Sequence, residues 1–233
     1  MNSFNSHHIF GCSGMKKHSY CILNKQYSKE EYEALVPKII AQIDKIPDVR
    51  RRSIIELAER CHYWPEHANQ VARLSVSLFD QTRGVHALTD REREWLEYAA
   101  LLHDVGVHIS YDRHHQHSYY LVKNGDLRGF EPDEIEAIAL IARYHRRATP
   151  NKRHEGYAEV GRKRRRSIRT LSAILRLCEN LDRSHSQSVT GLKLNDRGDD
   201  ALLQVRTSGD AELELWAALR HVAILEEMDF HDI

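Results

Sequence analysis

The sequence predicts a mainly α-helical protein, a compact helical bundle with a small C-terminal α+β appendage. Three observations support this fold class. Apolar residues recur at spacings of three and four through most of the chain from Ser28 to Asp182. Short breaks containing Gly, Pro, Asp or Asn separate these helical segments. After Ser188 the period changes to an alternation of apolar and polar residues, which is typical of β-strands.

The helical domain is predicted to span residues 28–187. Residues 1–27 before it are polar and lack a helical or strand period, so we expect a flexible leader. The first helix should run from Ser28 to about Ile46, because Ser28 and Glu31 form a capping-box pattern and a proline follows. Further helices are predicted near residues 50–61, 65–83, 89–105, 117–123, 132–147 and 167–183.

The appendage is predicted to span residues 188–233. The segments VTGLKLN and ALLQVRT flank Asp196–Asp199, a pattern that predicts a β-hairpin. A last helix from about Ala211 to Met228 should cover one face of this hairpin. Because so short a segment buries little surface by itself, we expect it to dock on the helical domain.

The composition excludes several classes of protein. The 233 residues contain 34 Lys and Arg against 34 Asp and Glu, so a chain-wide surface for polyanions is not expected. The basic run Arg162–Arg166 has no interleaved aromatic residues, which argues against nucleic acid as a partner. No targeting signal or membrane span is visible. Widely spaced cysteines favour reduced thiols and the cytoplasm; they are Cys12, Cys21, Cys61 and Cys178.

Ionisable side chains lie on the apolar stripes of four predicted helices. They are His67, His103 with the adjacent Asp104, His145 and Asp182. Each one alone has a structural explanation, such as a backbone hydrogen bond for a histidine or a capping role for Asp182. Burying all of them together would cost considerable free energy unless they bound a metal ion as its ligands. Imidazole and carboxylate ligands suit Mn²⁺, Fe²⁺, Co²⁺, Ni²⁺ or Zn²⁺ and favour a catalytic or regulatory site.

The order of these residues resembles the HD-domain superfamily of metal-dependent phosphohydrolases. A distant histidine, an adjacent His-Asp pair and a late aspartate are the matching features. A closer resemblance is to the C-terminal HD-type domain of the exopolyphosphatase and guanosine pentaphosphate phosphatase (Ppx/GppA) family. It covers most of the chain and is carried by RRSIIELAERCHYWPEHANQVARLSVSLFD, LEYAALLHDVGVHISYDRHHQHSYYLV, IALIARYHRRATP and ILRLCENLDRSH.

The resemblance implies a cofactor of one or two divalent ions, among Mn, Fe, Co, Ni, Mg and Zn. The residues that it implies for the first ion are His67, His103, Asp104 and Asp182. Asp104 would bridge to a second ion, for which His117 and His145 are the candidates. His115 ranks lower, and His108 and His114 are assigned to solvent.

The implied chemistry is metal-assisted attack of water on phosphorus, with Asp104 orienting the water. Cationic side chains should bind the phosphate, and Arg146 is the first candidate. Further candidates are Arg143, Arg147 and Arg183. The alternative for each arginine is a solvated helix face. The basic run Arg162–Arg166 either extends a rim for nucleotide or polyphosphate or forms a solvated loop.

One departure from the family leaves the function open between two classes. Phosphate-chain hydrolysis in the family is attributed to actin-like N-terminal halves, and this chain shows no phosphate-binding Gly-rich loop of that kind, since GCSG lacks the strand and helix context. The first hypothesis is a metal-dependent phosphohydrolase acting on a phosphomonoester, nucleotide, phosphoanhydride or polyphosphate. The alternative is a non-catalytic regulatory module that binds polyphosphate or nucleotide. Its partner would be a second copy or a protein with the actin-like domains.

Overall fold

The computed structural model describes residues 7–10, 19–22, 24–43, 49–197 and 201–226. It is mainly helical with a small α+β region near the C-terminus, which confirms the predicted fold class. The chain divides into two compact units, Met1–Val49 and Arg50–Ile233. None of the helices in the described ranges is long and apolar enough to cross a membrane.

The described residues of the first unit form three short strands and one helix: β1 (His7–Phe10), β2 (Ser19–Ile22), β3 (Lys25–Gln26) and α1 (Lys29–Ile43). Strand β2 pairs in parallel with β1 and antiparallel with β3. We predicted a leader without strands here, and the structure corrects this. Strands of two to four residues are too short to show a period in the sequence.

The start of α1 is as predicted. The backbone N–H of Glu31 donates to Ser28 Oγ at 3.2 Å, and the backbone N–H of Ser28 donates to Glu31 Oε2 at 3.0 Å. This reciprocal pair is the capping box that the sequence indicates. Residues 44–48, which include the end of the predicted helix, lie outside the described residues.

The helices of the second unit follow the predicted order. They are α2 (Val49–Arg60), α3 (Pro65–Gln81), the short α4 (Arg83–His86), α5 (Asp90–Leu102), α6 (His114–Lys123), α7 (Pro132–Arg143), α8 (Arg162–Asn180) and α9 (Glu212–Glu226). A 3₁₀ turn, Val105–His108, follows α5.

Two helices begin earlier than predicted. Helix α6 begins at His114 rather than at residue 117, directly after Arg113 in the left-handed conformation (φ 52°). Helix α8 begins at Arg162 rather than at residue 167, so the basic run is helical and not a loop. The five positive charges of this run oppose the dipole at a helix N-terminus, which is why the sequence pattern concealed this start.

Helices α3, α5, α7 and α8 pack against one another and enclose the core. Helix α6 lies against α7 and the 3₁₀ turn. The core contains large apolar side chains with less than 2% exposure, among them Phe79, Leu74, Leu96, Ile138, Ile141 and Leu171. The apolar stripes of separate helices therefore meet in one core, and the polar residues on those stripes meet with them.

The appendage is an antiparallel hairpin, β4 (Val189–Asp196) and β5 (Ala201–Thr207), followed by α9. The hairpin docks on α3, where Gln70 Nε2 donates to the Val189 carbonyl at 2.6 Å. Helix α9 packs on α8, and Glu214 Oε1 accepts the Ser184 N–H at 3.0 Å. We expected α9 to cover the hairpin, but it packs mainly on α8. Part of the predicted turn, residues 198–200, lies outside the described residues.

Cys61 and Cys178 are buried free thiols, and Cys21 is also buried. This agrees with the reduced state that their spacing predicts. Burial raises the pKa of the Cys178 thiol to about 12, so it remains protonated at neutral pH. Cys12 lies outside the described residues.

Candidate metal centre

Polar side chains from five helices converge in the second unit. His67 lies on α3, His103 and Asp104 follow α5, His145 follows α7, and Asp182 follows α8. His67, His103, His145 and Asp182 are each at most 2% exposed. The inward direction that their apolar stripes predict is thus confirmed. The fifth helix contributes His114, the first residue of α6.

Asp104 lies at the centre of this cluster. Its Oδ1 is 3.1 Å from His114 Nε2 and 3.4 Å from His145 Nε2, and its Oδ2 is 3.7 Å from His103 Nε2. His67 Nε2 is 3.2 Å from His103 Nε2. The Nε2 atoms of all four imidazoles therefore face the same small volume beside the Asp104 carboxylate.

The hydrogen bonds at the opposite nitrogen define the tautomer of each ring. Nδ1 of His103, His114 and His145 donates to the carbonyl three residues earlier, at 2.7, 2.9 and 2.7 Å. His67 Nδ1 donates to Asp182 Oδ2 at 2.8 Å. Because carbonyl and carboxylate oxygens accept, the proton of each neutral ring is on Nδ1 and the lone pair is on Nε2. Metal-binding histidines in proteins have this arrangement.

The charge states favour the same interpretation. Burial lowers the pKa of His103 to about 4 and the pKa of His145 well below its ordinary value, so both rings are neutral at pH 7. The pKa of Asp104 lies well below its usual range, although burial alone would raise it, so this carboxylate is ionised at neutral pH. Asp104 Oδ1 is buried and, among the described residues, has no hydrogen-bond partner. An ionised oxygen that faces imidazole lone pairs is satisfied by a cation.

Two groups of three side chains have ligand atoms within 4.8 Å of one another: His67 with Asp104 and His185, and Asp104 with His114 and His145. Asp104 belongs to both groups, so its carboxylate would be available to an ion in either one. Imidazole nitrogen and carboxylate oxygen are suitable ligands for divalent transition metals. The residues present therefore fit the cofactor that the sequence predicts.

Asp182, a predicted ligand, contacts His67 on the side away from the Asp104 carboxylate. It accepts from His67 Nδ1 and from the backbone N–H of Gln187, the latter at 2.8 Å. A carboxylate behind a ligating histidine orients the ring and raises its basicity. The structure therefore favours Asp182 as the group that orients His67.

The assignments within the histidine-rich segment change. His114, which we assigned to solvent, is 2% exposed and contacts both Asp104 and His145. His117, the predicted ligand, is partly exposed and belongs to neither group. The physical reason is the earlier start of α6, which places His114 four residues before the buried Ser118 on the inner face.

Backbone packing holds His114 in this position. Ser118 Oγ accepts the N–H of Gly106 at 2.9 Å and donates to the His103 carbonyl at 2.6 Å. A Cβ at Gly106 would lie 2.0 Å from the His114 carbonyl, so only glycine fits this close approach. The start of α6 is thereby attached to the turn that carries His103 and Asp104.

One of the four predicted phosphate-binding arginines adjoins the cluster. Arg146 Nη1 lies 3.3 Å from His114 Nε2 and donates toward its lone pair. Arg143 instead donates to the Glu155 carbonyl at 3.2 Å and lies over the Tyr119 ring. Each of the others is paired with a carboxylate: Arg147 with Asp112 and Arg183 with Glu179.

Besides His114, two residues at or near the site escaped the sequence reasoning. The His185 ring stacks on the His67 ring with centroids 3.7 Å apart. It follows Asp182 in a loop, where no helical period indicates a direction. Glu179 is 6% exposed and lies one turn before Asp182, and burial raises its pKa. Its position on the last turn of α8, three residues before Asp182, was a usable signal.

The fold and the site define a mainly helical protein with a buried histidine-aspartate centre suited to divalent cations. The chain belongs to the Ppx/GppA phosphatase family, because residues 49–224 match the family described as Ppx/GppA phosphatase, domain III. A relative from Aeromonas hydrophila subsp. hydrophila is named guanosine-5'-triphosphate,3'-diphosphate pyrophosphatase. It is 35% identical over 95 residues, which cover 40% of this chain and 19% of the relative. The match thus spans about a fifth of that relative.

Proposed function

We propose that this chain is an HD-type, divalent-metal-dependent phosphohydrolase acting on a phosphomonoester or phosphoanhydride bond. One observation carries the proposal. The Nε2 lone pairs of His67, His103, His114 and His145 converge beside Asp104, whose Oδ1 has no hydrogen-bond partner among the described residues. Family membership and the name of the Aeromonas relative, a pyrophosphatase, support phosphorus chemistry.

Asp104, His114 and His145 would hold one ion, and His67, His185 and Asp104 would hold another. His103 Nε2 lies 3.2 Å from His67 Nε2 and 3.7 Å from Asp104 Oδ2, so it would be available as a further ligand. A bound divalent ion lowers the pKa of water and polarises phosphoryl oxygens. Asp182 keeps the His67 ring in the ligating tautomer through the Nδ1 hydrogen bond of 2.8 Å.

Asp104 would also orient the attacking water, because its side chain is 21% exposed while His103, His114 and His145 are buried. Arg146 supplies positive charge at the His114 edge, where it can bind a phosphoryl oxygen. Its guanidinium lies over the Tyr111 ring at 5.9 Å, which restricts its orientation. Phosphorylated small molecules or polyphosphate are thus the proposed substrates, and the cytoplasm remains the predicted location.

A second candidate is a regulatory module that acts through contact with another protein. The observation in its favour is the outer face of α9, where large apolar side chains are exposed: Leu213 by 49%, Trp216 by 59% and Leu219 by 71%. Such a face is typical of interaction surfaces. In this candidate the metal centre stabilises the bundle and turns over no substrate.

The two candidates differ in whether the protein hydrolyses a phosphorylated substrate. The protein is purified without added metal, its metal content is measured by mass spectrometry, and hydrolysis of phosphomonoesters, nucleotides and polyphosphate is assayed with Mn²⁺, Ni²⁺, Co²⁺ or Mg²⁺. We expect bound metal and hydrolysis, and we expect Asp104→Asn to reduce kcat by more than about 100-fold. Full activity in the Asp104→Asn variant would refute the mechanism.

The matched control is Asp133→Asn. Asp133 is 72% exposed at the start of α7, the end of that helix opposite His145. It should retain kcat and metal content. Metal without turnover on any substrate class would instead favour the regulatory candidate.

A further inference from the structure

Helix α9 has its small side chains on the buried face and its large apolar side chains on the exposed face. Ala217 and Ala218 are 5% and 6% exposed, and the helix packs on α8. The exposed side chains are Leu213, Trp216 and Leu219, at 49%, 59% and 71%. A helix that covers a core normally has the opposite distribution, with its large apolar residues inward. The largest apolar side chains of α9 therefore contribute little to the packing of their own chain.

Hydrogen bonds fix the rotation of α9 about its axis. Glu214 is 2% exposed, and its Oε1 accepts from both the backbone N–H and the Oγ of Ser184. Turning the large apolar side chains inward would move this buried carboxylate away from its donors, which costs free energy. The exposed apolar face is thus a fixed feature of the fold.

The exposed face is symmetric about Trp216. Leu213 and Leu219 lie three residues before and after it, and Glu212 and Arg220 lie four residues before and after it. All four are exposed. When two copies of a helix cross antiparallel about a two-fold axis, residues equally distant from the crossing point lie at the same level of the two helices. Two α9 helices that cross at Trp216 therefore bring leucine level with leucine and glutamate level with arginine.

The charges on this face also match those of a second copy. The Arg220 guanidinium lies over the Trp216 ring, 4.7 Å from its centroid, close to the centre of the symmetry. Within the part of the chain that the structure describes, neither Glu212 nor Arg220 forms an ion pair. The antiparallel crossing gives each of them an opposite charge on the other copy. A face that is complementary to itself is the requirement for a two-fold dimer.

We propose that the protein forms a two-fold homodimer in which the α9 helices of two copies pack antiparallel about Trp216. The occupant of the exposed face is thus a second copy of this chain. The inference does not depend on the proposed function, because none of these residues belongs to the metal centre. Since one pair of helices forms a small interface, we expect a dissociation constant in the micromolar range.

The first test is sedimentation velocity of the full chain at concentrations from about 1 to about 200 µM. We expect a reversible equilibrium between monomer and dimer. Leu219→Glu should raise the dissociation constant at least about 100-fold, because it places two like charges in the apolar contact. The matched control is Tyr120→Ala, which removes an aromatic side chain that is 61% exposed on α6 and should leave the equilibrium unchanged.

Charge reversal distinguishes this contact from other modes of self-association. Glu212→Arg and Arg220→Glu should each raise the dissociation constant about tenfold, because like charges then meet across the two-fold axis. The double variant Glu212→Arg/Arg220→Glu should regain the original affinity. An equal mixture of the two single variants should also regain it, since their heterodimer again pairs opposite charges.

Several results would overturn the homodimer. They are a monomer at every concentration, a dimer that survives Leu219→Glu, and single charge reversals that mixing does not rescue. A monomer at every concentration would leave the α9 face to a different protein. Thermal melts confirm that each variant is folded, and the charge-reversed pair at exposed positions provides the test even if Leu219→Glu fails to fold.

Discussion

His114 and His117 offer a direct comparison between the structure and the sequence. His114 Nε2 is 3.1 Å from Asp104 Oδ1 and 3.3 Å from His145 Nε2, whereas His117 is partly exposed and outside both ligand groups. His114→Ala leaves two of the three donors in the second group. We expect the affinity for the second ion to fall by at least about 100-fold, or about 2.7 kcal/mol.

The measurement is a calorimetric titration of metal-free protein with Mn²⁺, together with metal content after dialysis. His114→Ala should reduce the stoichiometry from two ions to one, and His117→Ala should leave both ions bound. His114→Gln keeps the side-chain volume and separates the loss of a ligand from the loss of packing. Thermal melts of the metal-free variants show whether each retains the fold.

The assignment from the structure is refuted if His117→Ala loses the second ion while His114→Ala retains it. That result would mean that the helix register at the start of α6 differs from the one described. Loss of both ions in both variants would contradict separate roles for the two histidines.

Three further predictions concern substrate binding and stability. Arg146→Lys should lower kcat/KM by about tenfold in steady-state assays, because lysine lacks the bidentate fork, while Arg143→Lys should have little effect. In metal-free protein the folded-state pKa of His103 is about 4, so the unfolded state binds a proton at a higher pH than the folded state does. The free energy of unfolding should therefore fall by about 3 kcal/mol as the pH drops from 6.5 to 4. Urea titrations of the His103→Gln variant should show a shallower pH dependence than those of the unchanged protein. Burial opposes ionisation of Glu134, but hydrogen bonds from Arg50 and other donors lower its pKa to about 2. The stabilisation from its carboxylate is therefore present above pH 4.5 and is lost as the pH falls toward 2. Glu134→Gln should lower the free energy of unfolding by about 2 to 3 kcal/mol at pH 7, and an unchanged free energy in urea titrations would contradict this prediction.

Most of the helical architecture follows from local patterns. Apolar spacing predicted the helices and their order, and the capping box at Ser28 and Glu31 is present in atomic detail. The errors concern short or unusual segments. Strands of two to four residues in the first unit show no usable period, and the basic start of α8 obscured its boundary.

The same logic explains the candidate site. Residues within or directly after long helices, such as His67, His103 and His145, could be assigned an inward direction because an apolar stripe precedes or follows them. His114 lies at a helix start whose position depends on Arg113, and His185 lies in a loop. Neither has a local period from which a direction can be derived.

The sequence by itself determined the fold class, the inward direction of most of the cluster, and the chemistry of its donors. These properties depend on residue type and on the periodicity of a helix, which are local. Only the tertiary structure shows that His114 lies beside Asp104, that Asp182 contacts His67 Nδ1, and that Trp64 lies beside His185. Those contacts depend on where separate helices end and on how the loops between them pack. Distances between segments far apart in the chain are determined by packing of the whole core, so no local pattern predicts them.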